Sequence, residues 1–162
     1  MQALRWPALF CALLLTFSSA VAQQKVLELA SFPRSALTIT SAGKAHTFNV
    51  WIADTPERQS QGLMFVRDLP ASEAMLFTHA EPRLASMWMK NTYIPLDLLF
   101  IDARGRIVRI FERTIPQSLQ TLSASEPVTG VLELRGGEVA KRGIRVGDRV
   151  QHPHFRAHER RQ

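Results

Sequence analysis

Thiols are nearly absent: the 162 residues hold one cysteine, Cys11, inside an apolar stretch near the N-terminus. If that stretch is removed, no cysteine remains, which excludes disulfide staples, cysteine-held zinc and thiol catalysis from the rest of the chain. Signatures of common chemistries are missing as well. There is no G-x-S-x-G nucleophile elbow, no P-loop, no dinucleotide fingerprint and no H-E-x-x-H pair, so no cofactor, catalytic residue or metal-ligand set is expected from motifs. No internal repeat or low-complexity segment occurs, and no apolar run reaches the roughly 20 residues needed to cross a bilayer. Negative charge is the scarcer sign, with 14 acidic residues against 20 Lys and Arg and a formal charge of +6.

The chain does begin with an export pattern. Arg5 precedes an apolar stretch over 7–17, and small residues end in Ala20-Val21-Ala22. This predicts a signal peptide over 1–22, cleaved after Ala22, and a periplasmic or secreted protein with no transmembrane segment left after cleavage. Losing Arg5 takes the basic count from 20 to 19 and the formal charge from +6 to +5. Arg104, Arg106, Arg109 and Arg113 cluster, as do Arg135, Lys141, Arg142, Arg145 and Arg149. Such groups attract anionic partners, although interspersed acidic residues also suit an ordinary solvated surface. For an exported chain nucleic acid is not the expected partner.

Residues 23–35 read as a lead-in, 36–151 as one domain, and 152–162 as a disordered basic, His-rich tail. Alternation at Leu37, Ile39, Phe48, Val50 and Ile52 around Gly43 predicts a hairpin. Thr55-Pro56-Glu57 followed by Gly62 predicts a two-turn helix, which needs docking because it is so short. Further strands are expected over 74–77 and 87–91, then a hairpin of 96–102 and 106–112 turning at Gly105, then a strand over 128–135 running into paired glycines. A short helix at 138–142 and a strand organised by Gly147 follow. The sum is a compact α+β fold: a mostly antiparallel, strand-rich domain or partly closed β-barrel with two or more short helices.

Polar residues in apolar strands mark the candidate site. Strand 96–101 is apolar on both faces apart from Asp97, so this carboxylate must be at least partly buried and needs donors or a cation. Two readings stand. Asp97 accepts backbone and Asn91 hydrogen bonds and fixes the bend at Tyr93-Ile94-Pro95, or Asp97, Lys90 and Asn91 floor a pocket walled by Trp88 and Tyr93, with Arg58 within reach. Glu133, among Val131, Leu132 and Leu134, faces solvent in a one-sided strand or else meets Asp97 in a cleft, where one pKa would rise. His152, His154 and His158 suit a solvated tail better than a metal site, His46 and His79 are isolated, and Met64, Met75, Met87 and Met89 read as core filling.

The ordered blocks RQSQGLMFVRDLP (58–70), AMLF (74–77), WMKNTYIPLDLLFID (88–102), GRIVRI (105–110), P-x-S (116–118), VLELRGG (131–137) and GIRVGDRV (143–150) resemble the DUF192 family, also called UPF0127. The resemblance spans about 35–151 and implies a compact, strand-rich α+β domain, commonly exported in bacteria, with no assigned activity. Its matching polar positions are Arg58, Gln61, Gly62, Trp88, Lys90, Asn91, Asp97, Glu133 and Gly137. Ala74 stands where the family usually has glycine.

The functional expectation is a non-catalytic module that binds a small-molecule, cell-wall or envelope-protein ligand at Arg58, Trp88, Lys90, Asn91, Asp97 and Glu133. The alternatives are an enzyme acting on a glycan or small metabolite through Asp97 and Glu133, and a structural or protein-interaction domain. Sequence leaves the oligomeric state open.

Overall fold

A computed structural model of the chain describes residues 26–159, with side chains described through Arg156. The signal-peptide reading over 1–22 lies outside the described residues.

The first hairpin follows its alternation. Strands β1 (Arg34–Ser41) and β2 (Lys44–Ala53) pair antiparallel with Leu37 opposite Phe48, and Ala42 and Gly43 turn the chain at φ 46° and 76°. Two consecutive positive φ values match the twist of the flanking strands. Helix α1 (Pro56–Gln61) starts as its signals require: Thr55 Oγ1 accepts the Arg58 N–H, Pro56 opens the first turn, and Gly62 ends it. Six residues cannot sustain a helix alone. Gln59 Nε2 therefore matters, donating to the Ala53 carbonyl at 3.3 Å and the Thr78 carbonyl at 2.8 Å. It ties α1 across β2 and the parallel strand that follows, β3 (Glu73–Arg83).

Strand β4 (Ser86–Met87) later pairs with β7 (Leu122–Ser123) outside the main sheet. Strands β5 (Leu96–Ile101) and β6 (Ile107–Phe111) form the hairpin expected around Gly105, which sits at φ 78° beside a register shift at Phe100/Ile101. Then come β8 (Val128–Arg135), α2 (Glu138–Arg142), β9 (Arg149–Gln151) and α3 (Pro153–Glu159). The seven-stranded sheet has the order β6-β5-β8-β3-β2-β1-β9, antiparallel except for β2 with β3.

The sheet curls until its edges touch. Val150 N–H donates to Gly105 O at 2.7 Å, Ile107 N–H donates to Asp148 O at 3.0 Å, and Arg106 bridges Arg149. A Cβ on Gly105 would lie 2.4 Å from the Val150 carbonyl oxygen, so only glycine permits this approach. The result is the α+β, partly closed barrel that the strand pattern predicts. All seven strands contribute to one buried cluster, including Leu37, Phe48, Leu76, Leu99, Ile107 and Val150, which marks the inner face. The other face buries Met75, Phe77, Leu98, Phe100 and Val131 beneath Leu63, Leu69, Ala85 and Met89 from the connecting segments. Alternating strands thus bury both faces, the inner by closure and the outer by loops.

Two sequence expectations fail. The strand predicted over 87–91 stops at Met87: Met89 N–H goes to Ser118 O, Thr92 N–H turns back to Met89 O, and Asn91 takes φ 56°. Within the tail expected to be disordered over 152–162, Pro153–Glu159 instead form α3, with Phe155 2% exposed in the inner cluster and the His152 ring buried; 160–162 lie outside the described residues. One aromatic residue at the end of the barrel outweighs the polar composition around it. Burial also lowers His152 and His79 to about 4, so both rings are neutral near pH 7. Among the described residues no helix is long and apolar enough to cross a membrane.

Candidate functional site

Alternation along β5 and β8 decides which polar groups can meet. In the paired register Leu98 stands opposite Glu133, while Asp97 stands opposite Leu134. Directly opposed residues share a face and successive residues alternate, so Asp97 points with the inner-face residues and Glu133 with the outer ones. The two carboxylates lie on opposite sides of the sheet. That removes the carboxylate-pair enzyme, because both groups must open into one cleft to act on a bond.

Asp97 is fully buried and satisfied. It accepts N–H bonds from Arg113 at 2.7 Å, Gly137 at 2.9 and 3.0 Å, and Val139 at 2.9 Å. The carboxylate thus clasps the segment after β6 and the first turn of α2 to the start of β5. It binds backbone as one sequence reading held, but not Asn91, whose Nδ2 instead contacts Met64 Sδ at 3.9 Å. Arg58 is likewise committed: it pairs with Asp54 at 2.6 Å, donates to Ser31 O at 3.3 Å and stacks on Phe32. Neither residue lines the cleft around Glu133.

Glu133 does not face solvent, and only one of its two carboxyl oxygens is engaged. Only 4% exposed, it has an Oε2 with no hydrogen-bond partner among the described residues. Burial raises its carboxyl from 4.5 to about 8, with the backbone N–H of Leu63 pulling the other way. A buried carboxyl with one oxygen left unbonded and no cation beside it is costly to ionise and retains its proton near neutral pH. The group forms the floor of a narrow cleft of 80 Å3, between the end of α1 and the segment after β4, with Gly62, Leu63, Phe77, Met87, Trp88 and Thr92 around it. Trp88 is 48% exposed, and Lys90 holds its ammonium 5.1 Å from the indole centroid.

Gln61 and Met64 also wall a second, larger hollow of 480 Å3, bordered by Val26, Leu27, Phe65 and Asn91. Phe65 has φ 67°, an unusual left-handed conformation for an aromatic residue, and its N–H donates to Asn91 O at 2.9 Å. Two adjacent left-handed residues thus shape the rim at a local cost. Of the six sequence candidates, Glu133 and Trp88 line the cleft, Lys90 does not line it and only stacks its ammonium on the Trp88 ring, and Asn91 borders the neighbouring hollow; Arg58 and Asp97 are elsewhere. Tyr93 packs edge-on against Phe65 under Arg67 and lines neither hollow. Thr92 and Phe65 went unmarked because their roles depend on turns with no simple sequence period.

The floor exists because residue 62 has no side chain. Gly62 combines φ 51° with ψ −136°, and a Cβ there would lie 2.8 Å from Phe77 Cζ and 3.7 Å from Glu133 Oε2. Gly62→Ala should therefore cost about 1–3 kcal/mol through backbone strain and the Phe77 clash. Urea unfolding should show it as a lower midpoint at unchanged slope; an unchanged midpoint would mean that this corner is more yielding than its geometry.

The comparisons with known proteins agree with this fold. The profile of DUF192, described as an uncharacterized ACR, matches residues 37–152. The chain belongs to the DUF192 family. A search of curated proteins found no match. Among solved structures, a proposed transcription regulator from Sinorhizobium meliloti 1021 is similar to this DUF192 chain at 40% identity and a TM-score of 0.73, covering 75% of this chain and 95% of its own. A protein of unknown function from Novosphingobium aromaticivorans DSM 12444 is similar at 34% identity and a TM-score of 0.75, covering 79% and 91% respectively.

Proposed function

We propose that this DUF192 domain is an exported, non-catalytic binding module that takes a small-molecule or cell-wall ligand into the Glu133 cleft. The observation that carries the reading is the buried, unpartnered Glu133 Oε2 at the foot of an opening beside an exposed tryptophan. An unpaired buried polar group is a stability loss that a ligand can recover. A protonated Glu133 donates to a ligand carbonyl or hydroxyl, and a ligand amine takes its proton and pairs with the carboxylate. Trp88 stacks on an apolar or sugar surface, with the larger hollow holding the rest of the ligand. Binding needs no second catalytic group; among the described residues the cleft is lined by no carboxylate besides Glu133, and Glu57 lines the larger hollow. Export rests on the N-terminal Arg5, apolar stretch and Ala-x-Ala pattern.

The test is a fluorescence and thermal-shift screen of amines, sugars and cell-wall fragments against wild type, Glu133→Gln and Trp88→Ala. A true ligand should shift indole emission and raise the melting temperature of the wild type. Its affinity should fall about tenfold or more in each variant, the loss of one good polar or stacking contact. A ligand that binds all three proteins equally, or no ligand across these classes, overturns the reading.

A further inference from the structure

The closure of the barrel brings together arginines that are distant in sequence. Arg104 and Arg106 come from the β5–β6 turn, Arg149 from β9 and Arg156 from α3. Two hollows of 400 and 280 Å3 share Arg104 and Arg149 as lining; the first adds Asp102 and Arg106, the second Val150, Gln151, Phe155 and Arg156. They share no lining residue with the Glu133 cleft.

The backbone beneath these side chains is fixed. Val150 and Ile107 donate across the seam to Gly105 and Asp148, the Gly105 approach admits no side chain, and Phe155 anchors the first turns of α3 in the core. Asp102 is absorbed by its own turn: Oδ1 accepts the Arg104 and Arg106 N–H groups, each at 2.8 Å, and Oδ2 is 3.8 Å from Arg106 Nε. Asp148 Oδ2 accepts the Arg145 N–H at 2.7 Å. Among the described lining residues, four arginines stand beside one carboxylate; Arg106 is paired with that carboxylate and Arg149 has a partner of its own, which leaves Arg104 and Arg156 to carry the site.

We propose that this seam is an anion site for phosphoryl groups, carried by a soluble phosphate ester or by a lipid headgroup. A phosphoryl group fits better than a carboxylate because it carries close to two negative charges and three acceptor oxygens, enough for several forked guanidinium donors. Two hollows with a common arginine wall suit two linked phosphoryl groups, and their exposed mouths admit a headgroup at a bilayer surface.

Inorganic pyrophosphate is the soluble probe, followed by calorimetry and by amide shifts in an NMR titration. Phosphatidylcholine vesicles with and without phosphatidic acid, whose headgroup is a phosphomonoester, are the lipid probe, followed by co-sedimentation. The protein variants are Arg104→Glu, Arg156→Glu and their combination. Arg135→Glu is the control, with the same charge change at the far end of the β5–β8 pair, where Arg135 opposes Leu96 while Gly130 opposes Ile101 nearer the seam. All three positions in this set are exposed, and melting curves check folding.

The expected result is at least about tenfold weaker binding of the recognised probe in the double variant, with Arg135→Glu within about twofold of wild type. Pyrophosphate binding without vesicle binding assigns a soluble source. Vesicle binding that requires phosphatidic acid assigns a lipid source. Equal weakening by all variants would mean diffuse surface charge and overturn the site, as would failure of both probes. Binding of duplex DNA through the same arginines, undisplaced by pyrophosphate, would also overturn it.

Discussion

Replacing Glu133 with glutamine should make the protein more stable above pH 8 and leave it nearly unchanged at about pH 4.5. The folded chain holds the Glu133 carboxyl at about 8, whereas its ordinary value is 4.5. Between those values the unfolded chain has released a proton that the folded chain retains, so stability falls as pH rises, then levels off above 8. The full span corresponds to a loss on the order of 5 kcal/mol, an upper bound because the site relaxes and hydrates as it ionises. Glutamine cannot ionise, keeps the shape and still offers an acceptor to Leu63 N–H, so the variant lacks this slope. Urea midpoints at about pH 5, 7 and 9 should converge for the two proteins in acid and separate in base. Parallel curves would mean that Glu133 is hydrated or partnered in solution, and the cleft would lose its anchor. A residue that weakens the fold at neutral pH and is improved by neutralisation carries the mark of a functional position.

Asp97 should behave in the opposite way. Asp97→Ala orphans the N–H groups of Arg113, Gly137 and Val139 at once, and the expected cost is about 3–5 kcal/mol. Asp97→Asn should cost about 1–3 kcal/mol, since its amide nitrogen must face at least one of those donors. In this size range each kcal/mol lowers the melting temperature by about 3–6 °C. Ligand affinity in the Glu133 cleft, measured well below the melting temperature, should be unchanged because Asp97 lies on the other face of the sheet. Loss of affinity in a folded Asp97→Asn protein would show that the inner clasp positions the cleft.

These two residues also show what could be read in the sequence. Both stand out as carboxylates in apolar strands, and the hairpins, Thr55 cap and Gly105 turn follow from local periodicity and turn chemistry. The face each carboxylate occupies does not. It depends on the β5–β8 register, a pairing between strands about 35 residues apart, so Asp97 read as the stronger site candidate when Glu133 is the one beside the opening. Arg58 misled in a similar way: a basic residue on a short helix near the candidate block pairs instead with Asp54 one turn back. The tail was misread for composition, since Phe155 buries its ring among long-range neighbours that no local window contains.

The seam between β9 and the Gly105 turn bears on how a chain made from its N-terminus reaches its native shape. Every strand before β9 can be present while the inner cluster still lacks Val150 and Phe155, the pieces that shut its open side. A nascent chain is therefore denied its finished interior until β9 and α3 arrive, and truncation ahead of Arg149 would leave a gaping sheet with β1 as a bare, adhesive edge.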